Sequence, residues 1–260
     1  MNQRWRDRLS RFRPAGEVLD PAAYTVRPLA GDSLARAFVA RHHYSGTYPA
    51  ARFRCGLYRG AELAGVAVFS VPVQASVLTR VFPGDPAASV ELGRFVLLDD
   101  VPGNGETWFL ARCFQQLRAA GIRGVVSFSD PVPRHRADGA VVFPGHVGTI
   151  YQAHNGVYLG RGTPRTLRLL PDGRAFSARA AQKIRARERG WEYAARQLEA
   201  WGAPPLDADA DADAAAWLRA WLPRLTQPLR HPGCHKYAWA LDRAPSARRV
   251  SLPAAPAIPG

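Results

Sequence analysis

The chain has 260 residues and carries 35 lysines and arginines against 21 aspartates and glutamates, a formal net charge of +14 at pH 7. Its hydrophobic content of 47% and charged content of 22% are those of a globular protein and exclude a mainly disordered chain. No apolar run is long enough for a membrane span, and the basic N-terminus lacks the apolar segment of a secretory signal. The three cysteines form no CxxC pair, which argues against structural zinc and for a reducing compartment. These features predict a cytoplasmic protein, located in the host cell cytoplasm if a phage encodes it.

The positive charge favours a polyanionic partner, and DNA and RNA are the usual polyanions. The basic residues concentrate in three segments: residues 1–13, 174–196 and 230–249. Such clustering favours binding surfaces, and a charge that serves only solubility is the alternative.

Hydrophobic periodicity and turn residues predict the main elements. In chain order these are a helix at 32–41, a hairpin of strands at 53–58 and 63–71, a strand at 90–98, a helix at 106–120, a strand at 124–128, a short helix at 149–153 and strands at 157–160 and 166–170. This order predicts an α/β (α+β) fold with a mixed central sheet flanked by helices. The predicted domains are a basic N-terminal arm over 1–20, a catalytic domain over 21–172, a basic helical C-terminal region over 173–245 and a disordered tail over 246–260.

The C-terminal region contains a predicted helix over residues 177–201 with one apolar side. Its candidate DNA-binding residues are Arg179, Lys183, Arg185, Arg187 and Arg189. Binding to the DNA phosphate backbone is the functional interpretation of this basic helix, and a solvated face is the alternative.

A glycine loop separates the strand at 90–98 from the helix that follows it. Its candidate cofactor-binding residues are Gly103, Asn104, Gly105, Glu106 and Thr107. Backbone N–H groups at the positive end of a helix suit a pyrophosphate. The loop lacks the Gly-Lys-Ser/Thr of a P-loop and the GxGxxG of a dinucleotide fold, and a tight turn that needs glycine is the alternative.

Polar residues in two other places are candidates for chemistry. His43 and Tyr44 lie in the turn after the first helix, where they supply a base or metal ligands or else brace the turn. Alternation places Arg94 on the apolar face of its strand, together with Val90, where an unpaired guanidinium is costly. The same alternation places Glu91 on the opposite face, so that Glu91 is not the obvious partner of Arg94.

A further polar group lies at the carboxyl end of the buried strand at 124–128, where ligand sites gather in open α/β sheets. It consists of Ser127, Ser129 and Asp130, although an Asp before a proline can also simply begin a turn. Tyr151 lies on the next helix. Because these elements are neighbours in the predicted order, we expect their polar side chains to converge.

The chain resembles the Mom family of phage DNA-modification proteins over about residues 24–241. The resemblance rests on the ordered strings HHYSGT, ELGRFVLLDDVPGNGETWFLARCF, GVVSFSDP, GHVGTIYQAHN, KIRARERGW and HPGCHKYAW. Mom proteins in turn resemble divergent members of the GNAT N-acyltransferase superfamily, which implies a GNAT-like fold. In ordinary GNAT enzymes a Q/R-x-x-G-x-G/A segment grips the pyrophosphate of coenzyme A. Here Asp100 stands in place of the Gln or Arg, which argues against ordinary use of acetyl-CoA.

The resemblance implies a transferase that converts adenine in duplex DNA to N6-carbamoylmethyladenine and so protects phage DNA from restriction. It implies a small-molecule donor, either acyl-CoA-type or glycine-derived, and iron as the candidate metal, with His43 and Asp130 as its ligands. The catalytic positions that match the family strings are Tyr44, Arg94, Ser127, Ser129, Asp130 and Tyr151. A homodimer is an open alternative for the assembly. The competing functions are a conventional GNAT acetyltransferase acting on a protein or small-molecule amine, and a non-catalytic DNA-binding protein.

Overall fold

The structure, a computed structural model, describes residues 2–6, 9–14, 16–207 and 213–241, with the backbone alone for residues 2–6 and 9–13. The predicted disordered tail over 246–260 lies outside the described residues. Within the described part of the chain, no helix combines the length and the apolar character that crossing a membrane requires.

The elements of the N-terminal half are β1 (Asn2–Arg6), β2 (Leu9–Arg13), a short 3-10 helix (Pro21–Ala23), β3 (Tyr24–Pro28), α1 (Asp32–His42), β4 (Ala51–Arg59), β5 (Glu62–Ser70), α2 (Ser76–Val81), β6 (Ser89–Leu97), α3 (Gly105–Ala119) and β7 (Gly124–Ser129). Those of the C-terminal half are β8 (Arg134–His135), β9 (Val141–Phe143), α4 (Thr149–Ala153), β10 (Val157–Arg161), β11 (Arg165–Leu169), β12 (Ala175–Phe176), α5 (Ala178–Ala186), α6 (Trp191–Glu199), α7 (Ala214–Leu225), β13 (Gln227–His231) and β14 (His235–Ala240).

The chain forms two compact units. The first contains the described residues of Met1–Pro131, Gly145–Gly162 and Cys234–Gly260, and the second contains those of Val132–Pro144 and Thr163–Gly233. Residue 172, where the sequence places a domain boundary, lies inside the second unit.

The first unit is built on a seven-stranded sheet with the order β10-β14-β7-β6-β5-β4-β3. Its neighbouring strands are antiparallel except β6 and β7, which are parallel. Helix α1 packs Phe38 and Val39 on one face, together with Val66 and Val68 of β5. Helix α3 packs its own buried aliphatic and aromatic side chains on the other face. The predicted mixed central sheet flanked by helices is therefore confirmed.

The second unit has its own core and its own small sheet, of order β12-β11-β13. The single helix predicted over residues 177–201 is wrong, because the chain forms two helices, α5 and α6, instead. Arg187 has a φ of 46° and Gly190 a φ of 84°, and two left-handed residues between the helices prevent one continuous helix. Helix α5 begins after Ser177, whose side chain accepts a hydrogen bond from the N–H of Ala180.

Candidate active site

Strands β6 and β7 separate in the middle of the seven-stranded sheet. They pair only over Ser89–Glu91 and Gly124–Val126, although β6 continues to Leu97 and β7 to Ser129. One residue further on, the hydroxyl of Ser127 donates to the backbone carbonyl of Leu92 at 3.0 Å. The two strands therefore open at this point, and polar side chains from four segments surround the opening.

Gly93 is an extra residue in the pairing of β6 with β5. Leu92 pairs with Phe69, and Arg94 pairs with the adjacent Val68, so the register shifts by one residue between them. A Cβ on Gly93 would lie 2.6 Å from Oγ of Ser70, which explains why glycine occupies this position. Such a bulge reverses the face to which all following side chains of the strand point.

The bulge puts Arg94 on the α1 face of the sheet. Its cross-strand partner Val68 belongs to the cluster packed with α1, whereas Leu92 and Phe69 pack with α3. The prediction that Arg94 shares a face with Val90 and Leu92 is therefore wrong, because it assumed unbroken alternation.

Glu91 lies on the same face as Arg94. It pairs with Ser70, the neighbour of Phe69, and directly opposed residues of an antiparallel pair point to the same side. The prediction that Glu91 faces away from Arg94 is wrong for the same reason. Burial raises the pKa of the Glu91 carboxyl, and the Arg94 guanidinium opposes that rise.

Arg94 is fixed by the loop that follows α1. Its Nε donates to the backbone carbonyl of Thr47 at 2.7 Å, and its Nη2 donates to Oγ1 of the same residue at 2.6 Å. Burial lowers the pKa of Arg94, while Tyr44, Glu91 and Tyr151 raise it. The guanidinium thus stays charged and is held in one orientation beside the opening.

His43 has one ring nitrogen committed to its own loop. Nδ1 accepts the N–H of Ser45 at 3.1 Å and lies 2.9 Å from Oγ of Ser45. In the neutral ring the proton then belongs on Nε2, and burial together with Arg94 holds the pKa of His43 well below its usual value. This arrangement fits a hydrogen-bond donor better than an iron ligand. Its predicted metal partner Asp130 directly follows β7.

Tyr44 and His146 link the α1 loop to the segment after β7. The Tyr44 hydroxyl lies 3.2 Å from Nε2 of His146, and the backbone N–H of His146 donates to the carbonyl of Asp130 at 2.8 Å. Burial lowers the pKa of His146 to about 4, against the opposing effect of Asp130, so the ring is neutral at physiological pH. Tyr44 remains 36% exposed and is the most accessible aromatic ring of the site.

Tyr151 meets the end of β7 on the other side of the opening. Its phenol is buried, which raises its pKa, while the Ser127 hydroxyl acts in the opposite direction. Gly148, with a φ of 79°, allows the close approach, because a Cβ there would lie 2.9 Å from Tyr151 and 3.1 Å from Oγ of Ser129. Oγ of Ser129 is buried and has no hydrogen-bond partner among the described residues. Unpaired buried hydroxyls are rare.

We call this group of side chains the strand-gap cluster. It contains the predicted Tyr44, Arg94, Ser127, Ser129, Asp130 and Tyr151, together with Thr47, Glu91 and His146. Sequence reasoning missed Thr47 and His146, although His146 lies in the GHVGT string, and it placed Glu91 on the wrong face of its strand. A carboxylate with a raised pKa, a fixed guanidinium and several hydroxyls are the groups that remove a proton and stabilise charge in a group transfer.

The glycine loop makes contacts of a different kind. The N–H of Gly103 donates to a carboxylate oxygen of Glu17 at 2.9 Å, and Oδ1 of Asn104 accepts the N–H of Leu19 at 2.7 Å. Glu106 is 2% exposed, and Thr107 donates its hydroxyl to the Asn104 carbonyl. Two polar groups of the loop are thus bonded to the segment that precedes β3.

The predicted DNA-binding side chains all lie in the second unit. Arg179 forms a 2.5 Å ion pair with Glu188. Arg187 donates to the carbonyl of Asp207 at 2.8 Å and lies 4.4 Å from the ring centre of Trp191. These two arginines are held by the protein itself. Of the other three, Arg185 and Arg189 are exposed and Lys183 is half-buried.

The first unit is a mixed α/β fold, and the strand-gap cluster lies where its strands β6 and β7 separate. The chain belongs to the Mom protein family, whose model matches residues 23–206, and the predicted family is confirmed. This membership supports a general function in DNA modification.

Two solved structures are similar to the chain at low identity. One is an acetyltransferase from Bacillus subtilis in complex with CoA, with 8% identity, a TM-score of 0.34 and coverage of 84% of this chain and 97% of that chain. The other is a tandem GNAT protein from the clavulanic acid biosynthesis pathway, without acetyl-CoA, with 9% identity, a TM-score of 0.44 and coverage of 85% and 99%. A comparison with functionally curated proteins gave no significant match.

Proposed function

We propose that this protein transfers a glycyl- or acyl-derived group to N6 of adenine in duplex DNA, giving the N6-carbamoylmethyl base. The observation that carries the proposal is the placement of Glu91 and Arg94 on one face of β6, where β6 and β7 separate. Membership in the Mom family supports it. DNA modified in this way would resist restriction nucleases.

The reaction needs a base, because the N6 lone pair of adenine is delocalised into the ring and makes a poor nucleophile. Glu91 accepts a proton from N6 as N6 attacks the methylene carbon of the donor's –CH2–CO–NH2 group, and the bond from that carbon to the leaving group breaks with its electron pair going to the leaving group. The raised pKa of Glu91 makes its ionised form a stronger base than an exposed carboxylate. Such a base contributes roughly 10²–10⁴-fold to a rate.

Arg94 stabilises negative charge on the donor or on its leaving group. Its two bonds to Thr47 orient the guanidinium before the substrate arrives, so that little reorganisation is needed during the reaction. The unpaired hydroxyl of Ser129 donates to an oxygen of the bound donor.

The target base must leave the duplex stack to reach these groups, at a cost of a few kcal/mol. Tyr44 is the exposed aromatic ring beside the opening, and it stacks on the flipped adenine. His43, whose ring centre lies 4.1 Å from that of Tyr44, supports this ring from behind. In the second unit, Lys183, Arg185 and Arg189 contact backbone phosphates without reading sequence.

The test is nucleoside mass spectrometry on plasmid DNA from cells that express the chain. Intact protein should give a deoxyadenosine adduct whose mass identifies the transferred group. Arg94→Ala should give none, whereas Arg118→Ala, on an exposed position of α3, should give the wild-type level. Unmodified DNA from cells with abundant folded protein and a verified donor would refute the proposal and favour an acetyltransferase acting on another amine.

A further inference from the structure

We propose that the carboxylate of Glu17 permanently fills the anion position at the start of α3, so that the glycine loop does not take the pyrophosphate of a CoA-type donor. The N–H of Gly103 points at an oxygen of Glu17 at 2.9 Å. A backbone N–H at a helix N-terminus is the group that would otherwise meet a phosphate oxygen. The protein therefore supplies its own anion at this place.

A second contact holds the N-terminal segment on the loop. Oδ1 of Asn104 accepts the N–H of Leu19 at 2.7 Å, and the side chain of Leu19 is only 2% exposed within the main core of the first unit. Glu17 lies two residues before this anchored leucine. Displacing the carboxylate by a ligand would thus disturb a segment that is fixed by packing and by hydrogen bonding.

The charges around the loop also disfavour a pyrophosphate. Asp100 occupies the position at which a pyrophosphate-binding loop would have Gln or Arg. Its Oδ2 lies 2.6 Å from Nη2 of Arg59. Arg59 is bound by Glu62 at 2.6 Å as well, so two carboxylates offset its charge. An incoming pyrophosphate would meet these groups as like charges.

The glycine at the start of α3 has a packing explanation. A Cβ on Gly105 would lie 2.5 Å from Cγ1 of Val101 and 3.4 Å from Cδ1 of Leu19. Close contact with the protein's own core, and not with a ligand, requires glycine there.

The inference about the loop does not depend on the reaction proposed above. One consequence does rest on the proposed function: of the two donor classes, a closed loop selects the glycine-derived donor over the acyl-CoA type. That donor would be held by the strand-gap cluster alone.

Isothermal titration of coenzyme A into the purified full chain tests the closure. We expect no saturable heat up to about 1 mM coenzyme A, a concentration that would reveal all but the weakest binding. Saturable one-to-one binding at micromolar concentration would overturn the proposal, whether or not the protein modifies DNA.

A thermal-unfolding comparison tests the Glu17 contact itself. Glu17→Gln should lower Tm by about 3 °C, because the neutral amide oxygen accepts the hydrogen bond from Gly103 more weakly than the carboxylate does. The control is Glu192→Gln, at an exposed position of α6, which should leave Tm unchanged. Equal Tm values for the two variants would also overturn the proposal.

Discussion

Glu91 and Arg94 point to the same side of strand β6 because Gly93 is an extra residue between them in the pairing with β5. The bulge brings a carboxyl group with a raised pKa next to a guanidinium that Thr47 holds in place. This pair of side chains lies next to the last residues over which β6 pairs with β7. A single inserted glycine thus creates the pair of opposite charges and places it where the sheet opens.

Replacing Glu91 by Gln should slow adduct formation by roughly 10²–10⁴-fold, because the amide cannot accept the N6 proton. The side chain keeps its size, so affinity for DNA and the unfolding midpoint should stay at wild-type values. Rates are measured as adduct per enzyme in a time course with a saturating DNA substrate. Glu192→Gln is the matched control. If Glu91→Gln formed the adduct as fast as Glu192→Gln, Glu91 would not be the base.

The rate should also depend on pH in a defined direction. The ionised form of Glu91 is the base, and burial raises its pKa, so the rate should fall as pH decreases through that raised value. The limiting slope is about one decade per pH unit for one essential proton. In Glu91→Gln the residual rate should no longer fall as the pH decreases. If the same fall persisted in the variant, it would be due to another titrating group.

Gly93→Ala should destabilise the protein and reduce its activity together. The new Cβ would meet Oγ of Ser70 at 2.6 Å and Cγ of Pro49 at 3.2 Å, so either the strand or the loop must shift. Overpacking of this kind costs about 1–3 kcal/mol in the free energy of unfolding. Urea denaturation measures it, with Gly84→Ala as control because a Cβ there meets nothing within 4 Å. Equal effects of the two substitutions would contradict the bulge geometry.

Ser127 and Ser129 lie two residues apart on β7, and both are fully buried, but substitution should affect them in opposite ways. Ser127→Ala removes a bond to the Leu92 carbonyl and should lower the free energy of unfolding by about 1 kcal/mol. Ser129→Ala removes a hydroxyl that has no partner among the described residues, so it should leave stability unchanged or raise it. The same variant should weaken adduct formation. Denaturation and adduct assays on both variants separate the two roles, and a destabilised Ser129→Ala would refute the assignment.

Local patterns predicted the elements that carry the site, while long-range pairing determined what they bring together. The predicted helix over 106–120 is observed as Gly105–Ala119, because its apolar residues repeat at helical spacing. The face of Arg94 was predicted wrongly, since counting alternate residues ignores an inserted one. Gly93 inside a strand was the available signal. The contact of Tyr44 with His146 joins residues 102 positions apart, and no local pattern could predict it.

The basic residues of the second unit should contribute to DNA binding mainly through phosphates. Each phosphate contact contributes about −0.9 to the slope of log K against log salt concentration on duplex DNA. Arg185→Gln together with Arg189→Gln should therefore make that slope shallower by roughly 2 and weaken binding equally for all sequences. Arg80→Gln with Arg118→Gln removes the same charge from exposed positions of the first unit and should change neither quantity by as much. Fluorescence anisotropy with a labelled duplex at several salt concentrations measures both. A direct phosphate contact releases counterions and so changes the salt slope, whereas a distant charge does not. If the two double variants had the same salt slope, Arg185 and Arg189 would not contact phosphates directly and would act only through the overall positive charge of the protein.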